Sequence, residues 1–366
     1  MNTWILDAID PLYFGDGRPV EGAAGRSRVL PPPQVVAGLV RTRQGLDARG
    51  CWAGNPDTAR TIPVEGPFPA LLSDDGKVAE WLFPRPLDAL LLEGGLRRLS
   101  PLDLGGWGAQ FDAGADMLAP VGLAAADPSK PKPMNPLWRW SELGAWLTGA
   151  SPSVTPLGIP EPPLEHRTHV SIDPATGRAE DGMLFALAGR RYVVDLKGTR
   201  SSIGIGLRTT AKVSDGVAAA GGERRMVRWR RSAGAELPAA PPAVLASARE
   251  GALRVVLATP AIFTDGWRPK VLFDAPAGSK LIAATVGRPE VVSGWDLAAR
   301  RARPTRRCAP AGSVYFLHLG GAAADREAWA RNAWLAPRSD LPADRTDGFG
   351  AVLLGTWDGK LVAPST

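Results

Sequence analysis

The stretch "VSDGVAAAGGERRMVRWRRS", Val213 to Ser232, sets permissive backbone directly against the chain's densest positive charge. Gly221 and Gly222 are followed by Arg224, Arg225, Arg228, Arg230 and Arg231, five arginines within eight residues. Glycines reach positive φ and let another backbone come close. Successive amides in such a loop can make an anion-binding nest, and guanidinium groups meet phosphate in planar, bidentate fashion. The combination fits a single-stranded polyanion, with amides and arginines on phosphates and aromatic rings for stacking bases. The blander reading is an ordinary loop followed by an edge strand guarded by charge.

Other chemistry is sparse. A second basic cluster, "RRARPTRR" (Arg300, Arg301, Arg303, Arg306, Arg307), contains Pro304 and is predicted to be a loop. Lys130 and Lys132 are a weaker signal. There are three histidines, His166, His169 and His318. His166 and His169 could serve metal-free RNA cleavage, in which a base takes the 2′-OH proton and an acid protonates the leaving oxygen. Their spacing of three on a strand sends them to opposite faces. His318, in a strand with Tyr315 and Leu317, reads as structural. Asp7, Asp10 and Asp16 resemble a metal cluster, but the turn chemistry of "DPLYFGDG" accounts for them. No Walker A run is present, and "GFGAVLLG" lacks the spacing of a dinucleotide fingerprint, so no cofactor or metal is expected.

Bulk properties bound the answer. The 366 residues suggest about two domains. Hydrophobic residues make up 45% and charged residues 22%, an ordinary globular balance. With 42 glycines and 35 prolines the fold should be rich in loops. The net charge is +6, carried mostly by arginine, so its distribution matters more than its sum. Cys51 and Cys308 cannot supply a disulfide framework or a four-thiolate metal site, and a reducing cytoplasm is expected. The opening "MNTWILDAIDPLYF" lacks a signal peptide's basic start. No apolar run approaches the ~18 residues of a membrane span, so no membrane is expected among the partners.

These groups need elements to hold them. Thr3 to Ile9 reads as a first strand. "LPPPQVVAGLVRTRQG" reads as a helix entered through proline, with Val36, Leu39 and Val40 on one face and Gly45 as its stop. Residues 51–163 read as a loop-rich insertion with short helices. "HRTHVSID" and "GRRYVVDLKG" read as an antiparallel pair, with "MLFALA" a candidate third strand. "IGLRTTAKVSDGV" is predicted as a short helix and "MVRWRRS" as a strand, with Val227 and Trp229 on one side and Arg228 and Arg230 on the other. The order is β-α-β-β-α-β, the ferredoxin-like arrangement. A Pro/Ala-rich linker is expected over 235–250. A second unit, 251–366, then contains the strands "LRVVLATPAIF", "KLIAATVG" and "GSVYFLHLG" and the helix "DREAWARNAWLA". "TDGFGAVLLGTW" repeats the grammar of helix, glycine loop and strand, a duplication in pattern. The predicted class is α+β, with two ferredoxin-like (RRM-like) units, the first spanning 1–234.

The segments "LDAIDPLYFGDGRPV", "LPPPQVVAGLVRTR", "EHRTHVSID", "GGERRMVRW", "ATPAIFTDGWRP", "SGWDL", "PAGSVYFL" and "DGFGAVLLGTW" follow one another from Leu6 to Trp357. In this order they resemble the third-subunit family of the Cmr complex, the type III-B CRISPR RNA-guided effector, within the RAMP superfamily. The resemblance implies glycine-rich loops after the second helix of each unit. It implies a non-catalytic subunit that holds the 5′ tag of the CRISPR RNA, docks the large polymerase-like signature subunit and contacts the backbone RAMP subunit. Carried onto this chain, the tag-binding set is Gly221, Gly222, Arg224, Arg225, Arg228 and Arg230. Arg18, Arg41, His169, Arg268, Gly348 and Gly350 follow. Two rival readings stand beside it. One is a metal-independent CRISPR RNA-processing endoribonuclease using His169 or His166. The other is a protein-only scaffold whose arginines meet acidic partners.

Overall fold

The computed structural model describes residues 1–15, 24–47, 49–105, 118–152, 156–232, 234–296 and 300–364. They form two compact units. One comprises 1–81, 160–236 and 291–306; the other comprises 82–159, 237–290 and 307–366. The architecture is α+β, with mostly antiparallel sheets and few helices.

In the first unit the strand Asn2–Ala8 buries Trp4, Ile5 and Leu6. It pairs antiparallel with Thr199–Thr209 on one side and Met226–Arg231 on the other. Across the sheet the order is Gly216–Ala219, Met226–Arg231, Asn2–Ala8, Thr199–Thr209, Val64–Leu72 and Val78–Pro84. Helix Pro33–Gln44 begins on a proline, where the missing N–H costs nothing. It ends where Gly45 donates its amide to the carbonyls of Arg41 and Thr42. Its Val36, Ala37 and Val40 are fully buried.

Several expectations are corrected here. The segment read as a helix, Ile205–Val217, begins in the end of the strand Thr199–Thr209 and finishes in the edge strand Gly216–Ala219. Ile203, Ile205 and Leu207 are buried at a spacing of two, the period of a strand. The intervening glycines disguise it, yet they are needed. A Cβ at Gly204 would lie 2.7 Å from the Ile5 side chain, and one at Gly206 would lie 2.5 Å from the Trp81 ring. Nor is 51–163 simply a loop-rich insertion, because Val64–Leu72 lies inside the sheet with Phe68 and Ala70 buried. The long excursion falls instead between Val78–Pro84 and Thr199–Thr209. Within it, Leu164–Ile172 and Ala179–Arg190 make a long antiparallel hairpin. "MLFALA" lies inside its second strand rather than forming a third, so it, and not "GRRYVVDLKG", is the partner of "HRTHVSID". Val193–Leu196 of that other segment pairs with Thr199–Thr209 instead.

In the second unit the sheet order is Lys280–Thr285, Val314–His318, Ala252–Leu257 and Val352–Thr356, all antiparallel. Helices Pro242–Glu250 and Ala323–Ala333 cover it. Val244, Leu245, Ala248, Trp329, Ala330 and Ala333 share one buried cluster with Val255, Tyr315, Leu317, Val352 and Leu354. Much of the expected linker is therefore a packed helix, ended by Gly251 at φ 98 in the left-handed cap conformation. Between the strands Ala252–Leu257 and Lys280–Thr285 there is only a single 3-10 turn, Leu272–Asp274. "RRARPTRR" is also not a loop. Arg301–Cys308 is a strand paired with Glu290–Asp296, and a two-stranded ribbon has the open edge that tolerates Pro304.

A buried ion pair fixes the inserted residues 82–159 to this sheet. Arg254, in the inner strand Ala252–Leu257, meets Asp88, and their side chains are 1% and 0% exposed. Arg254 also donates to the carbonyls of Thr356 and Trp146, each at 3.0 Å. The Trp146 indole donates to Asp88 at 2.9 Å. Arg98 lies over the Trp146 ring at 4.1 Å. Burial and then the charge of Arg254 pull the Arg98 pKa down to about 10, against the pull of Asp88. Removing one member of such a pair costs about 3–5 kcal/mol, because the survivor is left charged and unpaired.

Candidate nucleic-acid interface

The glycine loop is built by close approach. Ala220 donates its amide to the Arg225 carbonyl at 2.6 Å and closes the turn. Gly221 has φ +74, and a Cβ there would sit 2.4 Å from the Tyr13 carbonyl oxygen and 2.9 Å from the Phe14 ring. Gly222 donates its amide to the same Tyr13 carbonyl at 2.9 Å. The pair thus seats the loop on the "DPLYF" segment, and the Gly222 amide is spent on the chain itself rather than on an anion nest. Glu223 and Arg224 follow at φ 58 and 49, the left-handed region that non-glycine residues enter only when context holds them there. Arg224 is exposed.

Beside this loop stands an aromatic pair. His169 lies opposite Phe185 in the hairpin, and their rings stack with centroids 5.3 Å apart at 14°. Arg225 Nη2 reaches His169 Nε2 at 3.4 Å. Arg225, His169 and Phe185 therefore form one group, a cation beside a stacked platform, with exposed Arg224 next to Arg225 in the chain.

Arg228 and Arg230 form a second group on the sheet face. Val227 and Trp229, alternating with them, are 0% and 1% exposed, as the period of two requires. Asp7 Oδ2 lies 3.4 Å from Arg230 and 3.8 Å from Arg228. Arg230 also donates to the Asp75 carbonyl at 3.1 Å. Both arginines line a cleft of about 710 Å³ together with Asp75, Lys77, Asp215 and Arg231. The Lys77 ammonium, 2.5 Å from Asp75, donates a hydrogen bond that holds the Asp75 carboxyl far below its ordinary range and raises its own pKa in turn.

The remaining candidates divide. Arg41 is inside the unit, 9% exposed, with Nη2 donating to the Ile62 carbonyl at 3.0 Å, so it is not open to a solvent-borne strand. Arg18 lies outside the described residues. Arg268, Gly348 and Gly350 belong to the second unit. Arg268 is half-buried in the Asp265–Arg268 turn. Gly348 and Gly350 are buried. The Gly350 amide donates to the Pro260 carbonyl at 2.8 Å, and a Cβ there would lie 2.7 Å from the Ser339 nitrogen. The Gly348 carbonyl accepts from Thr259 Oγ1 at 2.9 Å. The Gly350 amide and the Gly348 carbonyl are thus engaged by their own chain. His318 stacks on Trp357 and has Nε2 2.8 Å from the Gly359 carbonyl, a structural place.

Two contributors are not evident from residue type. Asp7 gathers Arg228 and Arg230. Arg43 lies over the Trp229 ring at 5.3 Å and holds the carbonyls of Ser214 and Asp215 at 2.8 and 2.9 Å. Burial lowers the Arg43 pKa, and Asp215 opposes it. A sequence signal was available for the relation between the units. Asp10-Pro11-x-x-Phe14-x-Asp16-Gly17 and Thr259-Pro260-x-x-Phe263-x-Asp265-Gly266 share one spacing.

The comparison with known families supplies the class that this geometry alone does not: the chain is a CRISPR-associated protein. Residues 4–357 match the family model for the CRISPR-associated protein Cas_Cmr3. The chain belongs to that family, as the resemblance to the third subunit of the Cmr complex implied. Among solved structures, the chain is 14% identical to one in the cryo-EM structure of the type III-B Cmr-beta bound to cognate target RNA and AMPPnP. That match covers 86% of each chain, with a TM-score of 0.49. A second, in the type III-B Cmr-beta bound to cognate target RNA, is 12% identical over 86% of each chain, with a TM-score of 0.47. No curated protein matches the chain. Among the described residues no helix is long and apolar enough to cross a membrane.

Proposed function

We propose that this chain is a non-catalytic, RNA-binding subunit of a type III-B CRISPR effector. In this reading it holds the 5′ tag of the CRISPR RNA and bridges the large polymerase-like signature subunit to the backbone RAMP subunit. Family membership supports the setting. The observation that carries the RNA contact is Arg225 against the His169–Phe185 stack, with exposed Arg224 beside it. Arg224 and Arg225 would neutralise phosphates while the ring pair stacks a splayed base. Gly221 and Gly222 act by seating the loop on Tyr13, and Arg228 and Arg230 extend the cationic face.

The ferredoxin-like reading belongs to the same proposal. In each unit the four main strands take the order second, third, first, fourth along the chain, which supports it. The first unit has an edge strand, Gly216–Ala219, where the second helix was expected. The non-catalytic reading is supported by the histidines. His169 is engaged by Phe185 and Arg225, and His166, three residues away on the same strand, faces the other side.

The test is the Arg224→Ala, Arg225→Ala, Arg228→Ala triple variant in the assembled effector. Tag affinity should fall at least tenfold. The salt dependence should flatten by roughly 0.7 log units per lost phosphate contact. Unchanged affinity and slope would remove the site assignment. Specific cleavage of repeat RNA in chelator, lost in His169→Ala, would replace this reading with a nuclease. Absence of any RNA crosslink to this chain would favour the protein-only scaffold.

A further inference from the structure

The second unit contains a cleft that the tag-binding set does not use. It has a volume of about 460 Å³ and is lined chiefly by Trp267, Val286, Pro289, Arg307, Cys308 and Pro310. Trp267 is 37% exposed, an indole presented to solvent by a loop that is not loose. The Trp267 carbonyl accepts from the Tyr315 hydroxyl at 2.8 Å. Bridges Phe263↔Gly266 and Asp265↔Arg268 pin the turn on either side. Phe263, Phe273 and Tyr315 pack edge to face with one another, their centroids 5.2–6.2 Å apart. The indole is therefore held in advance of any ligand.

The lining dictates the ligand class. Tryptophan and two prolines offer flat apolar surfaces, and one guanidinium sits among them. No carboxylate lines the cleft, and Arg307 is exposed, with no ion-pair partner among the described residues. A flat aromatic plane joined to a phosphate satisfies all of these walls at once. The volume lies within the ~300–1,000 Å³ typical of small-molecule sites. We propose that this cleft receives one splayed nucleotide of single-stranded RNA, with the base against Trp267 and its phosphate on Arg307. The proposal rests on the RNA-binding reading above and adds a separate contact point to it. The Trp267 carbonyl is already taken by Tyr315, so one fixed polar partner for base edges is lost. Stacking rather than edge reading should dominate, and base preference should be weak.

The test uses the assembled effector with CRISPR RNA carrying single 4-thiouridine substitutions, irradiated and mapped by mass spectrometry. One position should crosslink within residues 265–310. Trp267→Ala should abolish that crosslink and weaken RNA binding about tenfold, the scale of one lost base stack. Trp267→Phe should keep both, which separates lost stacking from damage to the fold. Arg307→Ala should flatten the salt dependence by about one phosphate contact. A crosslink and an affinity unchanged in Trp267→Ala would overturn the proposal. So would a 4-thiouridine map in which every RNA contact of this chain falls outside residues 265–310. If the arginine triple variant loses RNA while Trp267→Ala does not, only the cleft assignment fails. If neither variant affects RNA binding, the functional reading fails with it.

Discussion

Asp10 and Met226 hold each other by both ends. The Met226 amide donates to Asp10 Oδ2 at 2.9 Å, and the Asp10 amide donates to the Met226 carbonyl at 3.3 Å. Thr259 and Ala351 repeat this in the second unit, again at 2.9 and 3.3 Å. Ile9 and Ala258 each add one donation to the same carbonyl, at 3.0 and 2.7 Å. Different side chains thus satisfy one backbone amide at matching points, just after the first strand and at the entry to the last. Asp10→Ala should cost about 1.5–3 kcal/mol, since the amide loses a charged acceptor. Asp10→Thr should lose less than half as much. Equal losses in urea denaturation would refute the equivalence.

Gly221→Ala should be the harsher of the two glycine substitutions. It places a Cβ against the Tyr13 carbonyl in a conformation at φ 74 and ψ −161, a region essentially reserved for glycine, where a side chain alone costs about 1–3 kcal/mol. At Gly222 the nearest atom is a Tyr13 ring carbon at 2.8 Å, and a ring can swing away. Thermal melts should rank Gly221→Ala below Gly222→Ala. RNA affinity should follow the same order, because the loop that carries Arg224 shifts with it. A reversed ranking would count against close packing as the reason for the pair.

Asp7 restrains the two sheet-face arginines it pairs with. If a phosphate chain passes over that face, Asp7→Asn should free both guanidiniums. RNA affinity should then rise about two- to fivefold at low salt, with a steeper salt dependence. Reduced or unchanged affinity, measured by fluorescence anisotropy across a salt series, would place the strand elsewhere.

Tyr192 and Tyr315 are buried, and burial raises both phenol pKa values above the ordinary 10.0. The folded chain keeps these protons above pH 10, where an unfolded chain releases them. Stability should therefore be fully present below pH 10 and fall as pH rises beyond it, by up to about 1.4 kcal/mol per pH unit for each group. Tyr192→Phe and Tyr315→Phe each remove a hydroxyl donor, to the Val29 and Trp267 carbonyls respectively. Each should lower stability at neutral pH yet flatten its alkaline decline. An unaltered alkaline slope in both variants would exclude these phenols as its source.

The elements legible from sequence were those whose side chains obey one period. The first strand, the helix closed by Gly45, and the alternation of Val227 and Trp229 with Arg228 and Arg230 are all present. Where packing overrides composition, the reading went astray. Gly204 and Gly206 sit in a strand because Ile5 and Trp81 need the room. Prolines and alanines near 242 suggested a tether, but Val244, Leu245 and Ala248 face a core. The glycine loops were recognisable as places of close approach, but composition could not say what approaches. In both units it is the chain's own carbonyl oxygen, of Tyr13 and of Pro260. His169 was visible as a residue, whereas its stack on Phe185 depends on hairpin register.

The Arg254–Asp88 contact bears on how this protein could be shortened. Residues 82–159 read as an ornament on a compact scaffold, the sort of segment one would trim for crystallography or delivery. Yet they carry the counterion for a guanidinium seated in an inner strand of the second unit's sheet. A trimmed chain would have to replace Arg254 with an apolar residue in the same step, so the core and its apparent decoration can only be redesigned together.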